Sequence, residues 1–312
     1  VGSCRLWRGD DHRDLIVLAL SPGGGSPARI ALATKYVMRA IGDSLVFNTT
    51  YLTPPDYWPW ALTGPLQRIG CAVGVDNQGH SGDTTAQVLV RARLLPSVSS
   101  GGLGLIFAGT NDWNNPGIVQ ASPTPTATTF TVQSGFGSLF PANTQVRVGG
   151  TTSRDQGGTS ALVQSVSGDA ITLSAPLSGA PSAGQYCFSD TQQNLILTGN
   201  AMASLGYTNQ VLLTHPYENY SASQGDTLAV PEPVFAQPTR AWQRGACTAL
   251  GATLADLYTY MRNRIVAGTD IQGSFSWHVA DVNVHLNAYG HSIARDCIAA
   301  VIPAAWASAY RI

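Results

Sequence analysis

Three times before residue 113, a short apolar run leads straight into a polar block that carries glycine. Lys35 to Ile41 runs into Gly42-Asp43-Ser44-Leu45, and Cys71 to Val75 into Asn77-Gln78-Gly79-His80-Ser81-Gly82-Asp83-Thr84-Thr85. Leu103 to Ala108 runs into Gly109-Thr110-Asn111-Asp112. Apolar runs of this length read as strands, and a glycine lets the backbone bend sharply where the strand stops. Helical spacing fills the gaps, over Ala61 to Ile69 and over Thr84 to Leu95, where Asp83, Thr84 or Thr85 can cap the start. Two more strands are expected at Gln210 to Thr214 and Ala252 to Leu257. Further helices are expected over Asp190 to Leu205, over Pro238 to Leu250, up to about Val266, and from Ala288 to about Ala300 ahead of Pro303. Strands alternating with helices predict a three-layer α/β/α sandwich on a mostly parallel five-stranded sheet. In such a sheet, residues just past the carboxyl ends of the strands are where ligands bind.

Between Ile118 and Ser189 the pattern changes to short alternating runs, Thr129 to Val132, Thr144 to Val148, Ala161 to Val163 and Ala170 to Leu173, split by turn residues. They predict a small all-β domain inserted into the α/β chain. The expected organisation is an N-terminal appendage at 1–34, the α/β domain at 35–117 and 190–312, and the insert at 118–189. Within the appendage, Ser21 to Pro27 reads as a linker. Leu15 to Leu20 is too short to span a membrane, and the acidic residues around it do not make a signal-peptide flank. An extra edge strand of the main sheet is the competing reading for it. The insert reads as structural, as a homo-oligomer surface, or as a carbohydrate-facing module.

Of 312 residues, 44% are apolar, enough for a sizeable core, and only 11% are charged, with a formal net charge of −1. No basic face recommends a nucleic acid or an anionic membrane as partner. Low charge with many small polar residues is a surface style of secreted or virion-exposed proteins. Cys4, Cys71, Cys187, Cys247 and Cys297 show no C-x-x-C spacing, which argues against a zinc or thioredoxin-type site. Cys71 and Cys297 read as small buried hydrophobes, and room for one disulfide remains among the others. No metal-ligand spacing and no phosphate-binding glycine loop is present, so no cofactor is expected.

A fourth block, Asp281-Val282-Asn283-Val284-His285-Leu286-Asn287-Ala288-Tyr289-Gly290-His291, lies near the C-terminus. Ser44, Gly82, Asn111 and His285, in that chain order, resemble the blocks of the SGNH (GDSL-type) hydrolase family. The resemblance covers 36–112 and 190–302. It implies a flavodoxin-like sheet with strand order 2-1-3-4-5 and a serine esterase that needs no cofactor. It also implies Ser44 as nucleophile and His285 as general base. The oxyanion hole would be the backbone N–H groups of Ser44 and Gly82 and the side-chain amide of Asn111. A serine hydroxyl needs such a base, held in the right tautomer by a third group, and the oxyanion needs preorganised donors.

In one respect the chain departs from the family. The orienting aspartate usually stands three residues before the histidine, where this chain has Val282, and Asp281 stands four before. Either the loop bulges so that Asp281 still reaches His285, or Asn283 or a backbone carbonyl replaces it, or the site is a dyad. The aromatic, proline-rich stretch from Phe47 to Trp60 reads as a cleft lining or as loop packing, with Trp58 and His80 as candidate substrate contacts. His291 reads as structural, tying the loop to the last helix. His12, His215 and His278 are given no role. Asp43 and Asp112 read as local hydrogen-bonding residues at turns. The substrate expected is a small-molecule or polysaccharide ester, with an O-acetylated carbohydrate as the narrower candidate. The competing class is a glycan-binding or structural surface module in which the same scaffold has weakened chemistry.

Overall fold

The computed structural model describes residues 5–8, 15–18, 29–31, 37–47, 56–64, 74–98, 101–151, 157–216, 237–269, 285–302 and 306. Strands β1 (Arg5–Arg8), β2 (Leu15–Leu18) and β3 (Arg29–Ala31) form an antiparallel sheet of their own. With β2 in its middle, both edges of Leu15–Leu18 are taken, so it is not an edge strand of the main sheet. The proposed linker lies outside the described residues.

The chain continues with β4 (Val37–Gly42), α1 (Ser44–Phe47), α2 (Trp58–Ala61), β5 (Gly74–Gly79), α3 (Thr85–Arg93), β6 (Leu103–Phe107) and α4 (Thr110–Asn114). Six strands follow, β7 (Gly117–Ile118), β8 (Thr129–Thr131), β9 (Gln145–Gly150), β10 (Gly158–Ser167), β11 (Ala170–Leu173) and β12 (Tyr186–Ser189). After them come α5 (Thr191–Ser204), β13 (Asn209–Leu213), α6 (Gln237–Leu250), β14 (Thr253–Ala255), α7 (Leu257–Val266) and α8 (Ala288–Val301).

Strands β14-β13-β6-β4-β5 lie side by side in that order, every pair parallel. Counted along the α/β chain this is the order 2-1-3-4-5, so the flavodoxin-like expectation holds. The period-two alternation of strands sends Met38, Ala40, Leu105 and Phe107 to one face, against Met261, Ile293 and Ile298 of α7 and α8. Ile41, Ile106 and Leu212 go to the other face, against Val88, Leu195 and Ala246 of α3, α5 and α6. Every residue of the central strand β6 is buried, as in a parallel sheet covered on both sides. The second strand departs from expectation. It runs over Gly74–Gly79, so the start of the glycine block is itself strand, laddered along Val37–Gly42.

The six strands between α4 and α5 run antiparallel in the order β7-β12-β9-β10-β11-β8. The ends of that row then pair with each other, through the Val119–Val132 bridge and hydrogen bonds from Gln120 N–H to Thr131 O (2.8 Å) and Gln133 N–H to Ile118 O (2.9 Å). The sheet therefore closes into a small barrel, which removes the exposed edges of an open sheet. Its interior holds Phe130, Phe140, Val146, Val163, Ile171 and Cys187. The barrel is fastened to the α/β layers by polar contacts. Asn194 exchanges two hydrogen bonds of 2.8 Å with the backbone of Gln145, and Arg147 pairs with the buried Asp190 at 3.0 Å.

Cys187, Cys247 and Cys297 are buried free thiols, whereas Cys4 and Cys71 lie outside the described residues. No helix among the described residues is long and apolar enough to cross a membrane.

Candidate active site

The register of the parallel sheet places Gly42 level with Gly79 on one side and Phe107 on the other. The blocks after these residues therefore leave the sheet at one edge. Gly42 is fixed by close approach, because a Cβ there would stand 1.9 Å from the carbonyl oxygen of Phe107. Past it, Asp43 N–H donates to that same carbonyl (3.3 Å), and Asp43 Oδ1 accepts from Leu45 N–H (3.0 Å). This turn starts α1 at Ser44, which is only 8% exposed.

Gly82 sits at φ +85°, the left-handed region that glycine enters without strain, with open space where a Cβ would point. The amide of Asn111 donates from Nδ2 to the carbonyl of Asp83 at 3.0 Å, locking the asparagine block to the residue after Gly82. An amide nitrogen carries two N–H donors, and this bond takes one. Helix α3 begins immediately afterwards with a capping box: Thr84 N–H donates to Gln87 Oε1 (3.0 Å) while the Thr84 hydroxyl accepts from Gln87 N–H. Of the three capping candidates it is thus Thr84 that serves. Its hydroxyl also lies 3.3 Å from the carbonyl of Leu139, so the barrel touches this helix start.

Two carboxyl groups lie buried under the blocks. Asp112 accepts from Thr85 N–H (2.7 Å), the Thr85 hydroxyl (2.7 Å) and the Thr191 hydroxyl (2.6 Å), joining the starts of α3 and α5. Burial pushes its pKa up to about 7; the threonine donors pull against this, and the negative charge of Asp43 adds to it. Asp43 is pushed up to about 6 by burial, against the donors of Leu45, Thr110 and Gly109. Asp112 is more than a local turn residue, since it joins two helix starts to the asparagine block, whereas Asp43 Oδ1 makes the local turn bond expected of it.

The half-buried His285 stands just before Asn287, whose side chain caps α8 by accepting from Gly290 N–H (2.9 Å). Leu286 beside it packs into the same core as Leu45 and Trp58. His291, one turn into α8, accepts at Nδ1 from Trp58 N–H (3.2 Å), and Trp58 Nε1 donates to the carbonyl of Leu45 (3.0 Å). The histidine block is thereby connected to the residue after Ser44. Burial, with the charge of nearby His285, holds His291 down at about 3, so it stays neutral and structural. Asp281 and Asn283 lie outside the described residues.

Trp58 requires a correction. It has no exposed surface and packs against Phe107 with ring centroids 6.4 Å apart, so it cannot line a cleft. It is a core residue, worth about 3–5 kcal/mol if truncated to alanine. His80 is exposed at the site edge, its Nδ1 2.8 Å from Asp83 Oδ1. Sequence reasoning missed Arg91, Thr191 and the links made by Asp112, because each acts across 8 to 79 residues of chain.

No family model matches the chain, and no curated protein matches it. Several solved structures are similar to it. One is a member of the lipolytic protein G-D-S-L family from Veillonella parvula, at 11% identity and TM-score 0.47, over 84% of this chain and 95% of that one. Another is a lipase/acylhydrolase from Enterococcus faecalis, at 18% identity and TM-score 0.43, over 85% and 94%. A third is an acetylxylan esterase from Geobacillus stearothermophilus, at 12% identity and TM-score 0.45, over 85% and 92%. In strand order, and in the order of its four residue blocks, this chain resembles the SGNH hydrolases.

Proposed function

We propose that this chain is an SGNH-type serine hydrolase that cleaves short acyl esters through an acyl-enzyme. One observation carries the reading: Ser44, Gly82 and Asn111 emerge at one sheet edge, with the Asn111 amide bonded to the carbonyl after Gly82. In this mechanism Ser44 Oγ attacks the ester carbonyl carbon while His285 takes its proton. The carbonyl oxygen becomes an oxyanion, met by the N–H groups of Ser44 and Gly82 and the remaining N–H of Asn111, donors worth roughly 3 kcal/mol each. His285 then protonates the departing alkoxide, and water, deprotonated by His285, releases the acid and restores Ser44. Asp281 is the proposed partner orienting His285, and an O-acetylated carbohydrate is the narrower substrate.

The test is hydrolysis of p-nitrophenyl acetate, butyrate and octanoate by wild type, Ser44→Ala, His285→Ala and Asp281→Ala. Rates should fall from acetate to octanoate. Ser44→Ala and His285→Ala should each lose on the order of 10³-fold or more in kcat, and Asp281→Ala less. A wild type that turns over none of these, nor acetylated xylan, would refute the esterase and leave glycan binding by the barrel as the account to pursue.

A further inference from the structure

Arg91 lies two turns into α3, with its side chain turned back toward the sheet. Its Nε donates to Asp83 Oδ2 (2.7 Å), its Nη2 to the carbonyl of Gly42 (2.7 Å), and its Nη1 to the carbonyl of Gln78. One guanidinium thus grips the last residue of β4, the penultimate residue of β5 and the residue after Gly82. Gly42 is two residues before Ser44, and the backbone carbonyl of Asp83 holds the Asn111 amide. The other Asp83 carboxylate oxygen is held by His80 Nδ1, and His80 N–H donates to the same Gly42 carbonyl (3.0 Å). The side chain of Asp83 is only 9% exposed, and that of Arg91 26%.

We infer that Arg91 is a positioning residue for the oxyanion hole, fixing the spacing of the Ser44, Gly82 and Asn111 donors through Asp83 and the Gly42 carbonyl. The inference rests on the esterase reading. A planar fork with donors in fixed directions can serve three acceptors at once, whereas the ammonium of a lysine is a point charge on a flexible stem. Catalysis depends on donors held at the developing oxyanion, so loosening this clamp should act on the transition state far more than on substrate binding.

The experiment compares wild type, Arg91→Met, Arg91→Lys, Asn111→Ala and the Arg91→Met/Asn111→Ala double variant on p-nitrophenyl acetate, each checked for folding by thermal melting. Ser44→Ala serves as the control for the chemistry. Arg91→Met should lower kcat roughly tenfold to a hundredfold with little change in KM, below the 10² to 10³ of losing a whole oxyanion donor. Arg91→Lys should recover little of the loss. In the double variant the two losses should fall short of additive, because part of the Arg91→Met loss runs through the Asn111 donor that Asn111→Ala has already removed. If Arg91→Met fails to fold, Asp83→Asn carries the same test, since it weakens Arg91's hold but keeps the carbonyl that Asn111 uses. An Arg91→Met with wild-type kcat, full rescue by lysine, or strict additivity with Asn111→Ala would overturn the inference while Ser44-dependent turnover left the esterase standing. A wild type without turnover would overturn both.

Discussion

Around the carboxyl ends of β4, β5 and β6 the buried residues include Asp43, Ser44, Asp83, Thr85 and Asp112, whereas the barrel interior is built of Phe130, Phe140, Val146, Val163 and Ile171. Both regions exclude water, but they are held by different forces. The barrel gains from apolar contact and a closed backbone ladder, which are insensitive to pH and tolerant of small displacements. The sheet edge is held by charge-assisted and threonine hydrogen bonds, each costly to leave unmade in a low-dielectric setting. A polar network is a poor way to gain stability and a good way to fix positions. Here it ties together the three blocks that carry Ser44, Gly82 and Asn111.

Three measurements can break or sharpen that contrast. The largest effect is expected from Gly42→Ala, whose Cβ would meet the Phe107 carbonyl oxygen at 1.9 Å and Val46 Cγ2 at 2.6 Å. The Phe107 oxygen is backbone of the neighbouring strand and also accepts from Asp43 N–H, so relieving the clash disturbs the turn into Ser44; ester turnover should vanish and stability should drop by about 3 kcal/mol or more, read from the urea midpoint. Phe140→Ala removes a fully buried ring from the barrel. It should cost about 3–5 kcal/mol in barrel stability while turnover without denaturant stays near the wild-type rate. A matching collapse of turnover would mean that barrel and site are one cooperative unit.

The smallest effect is a pH dependence. Asp112 and Asp43 have folded-state pKa values near 7 and 6, above the ordinary 3.8. Between those limits the folded protein holds protons that the unfolded chain has released. The stability they contribute is complete below about 3.8 and is lost as pH rises through 6 to 7. Melting temperature should therefore fall across that window, and Asp112→Asn should flatten the slope. An unchanged slope would show that Asp112 does not titrate there.

What was legible in the chain was whatever is encoded locally. The apolar runs ending in Ile41 and Ala108 marked strands, the cap candidates Asp83, Thr84 and Thr85 marked the start of one helix and the spacing from Asp190 on marked another, and the resemblance carried by the four blocks in order implied the strand order. What was not legible depends on contacts distant in sequence. Asp76, Asn77 and Gln78 have poor strand propensity, and only the ladder along β4 makes them strand. A tryptophan among prolines looks the same whether it faces a cleft or, as Trp58 does, the core. The closure of the barrel hangs on one bridge, Val119 to Val132, that no periodicity announces.

That the barrel's entry and exit are neighbouring antiparallel strands has an evolutionary consequence. Ile118 lies opposite Tyr186 and Gly117 opposite Cys187, so the chain leaves the α/β layers and returns to them at nearly the same point. Ends that close together place almost no constraint on the length of chain between them. The insertion point works as a socket: a host with a hairpin-sized connection there could acquire, exchange or shed a whole barrel without re-registering a strand of the parallel sheet. The carboxyl edge that holds Ser44 would stay as it is through such an exchange.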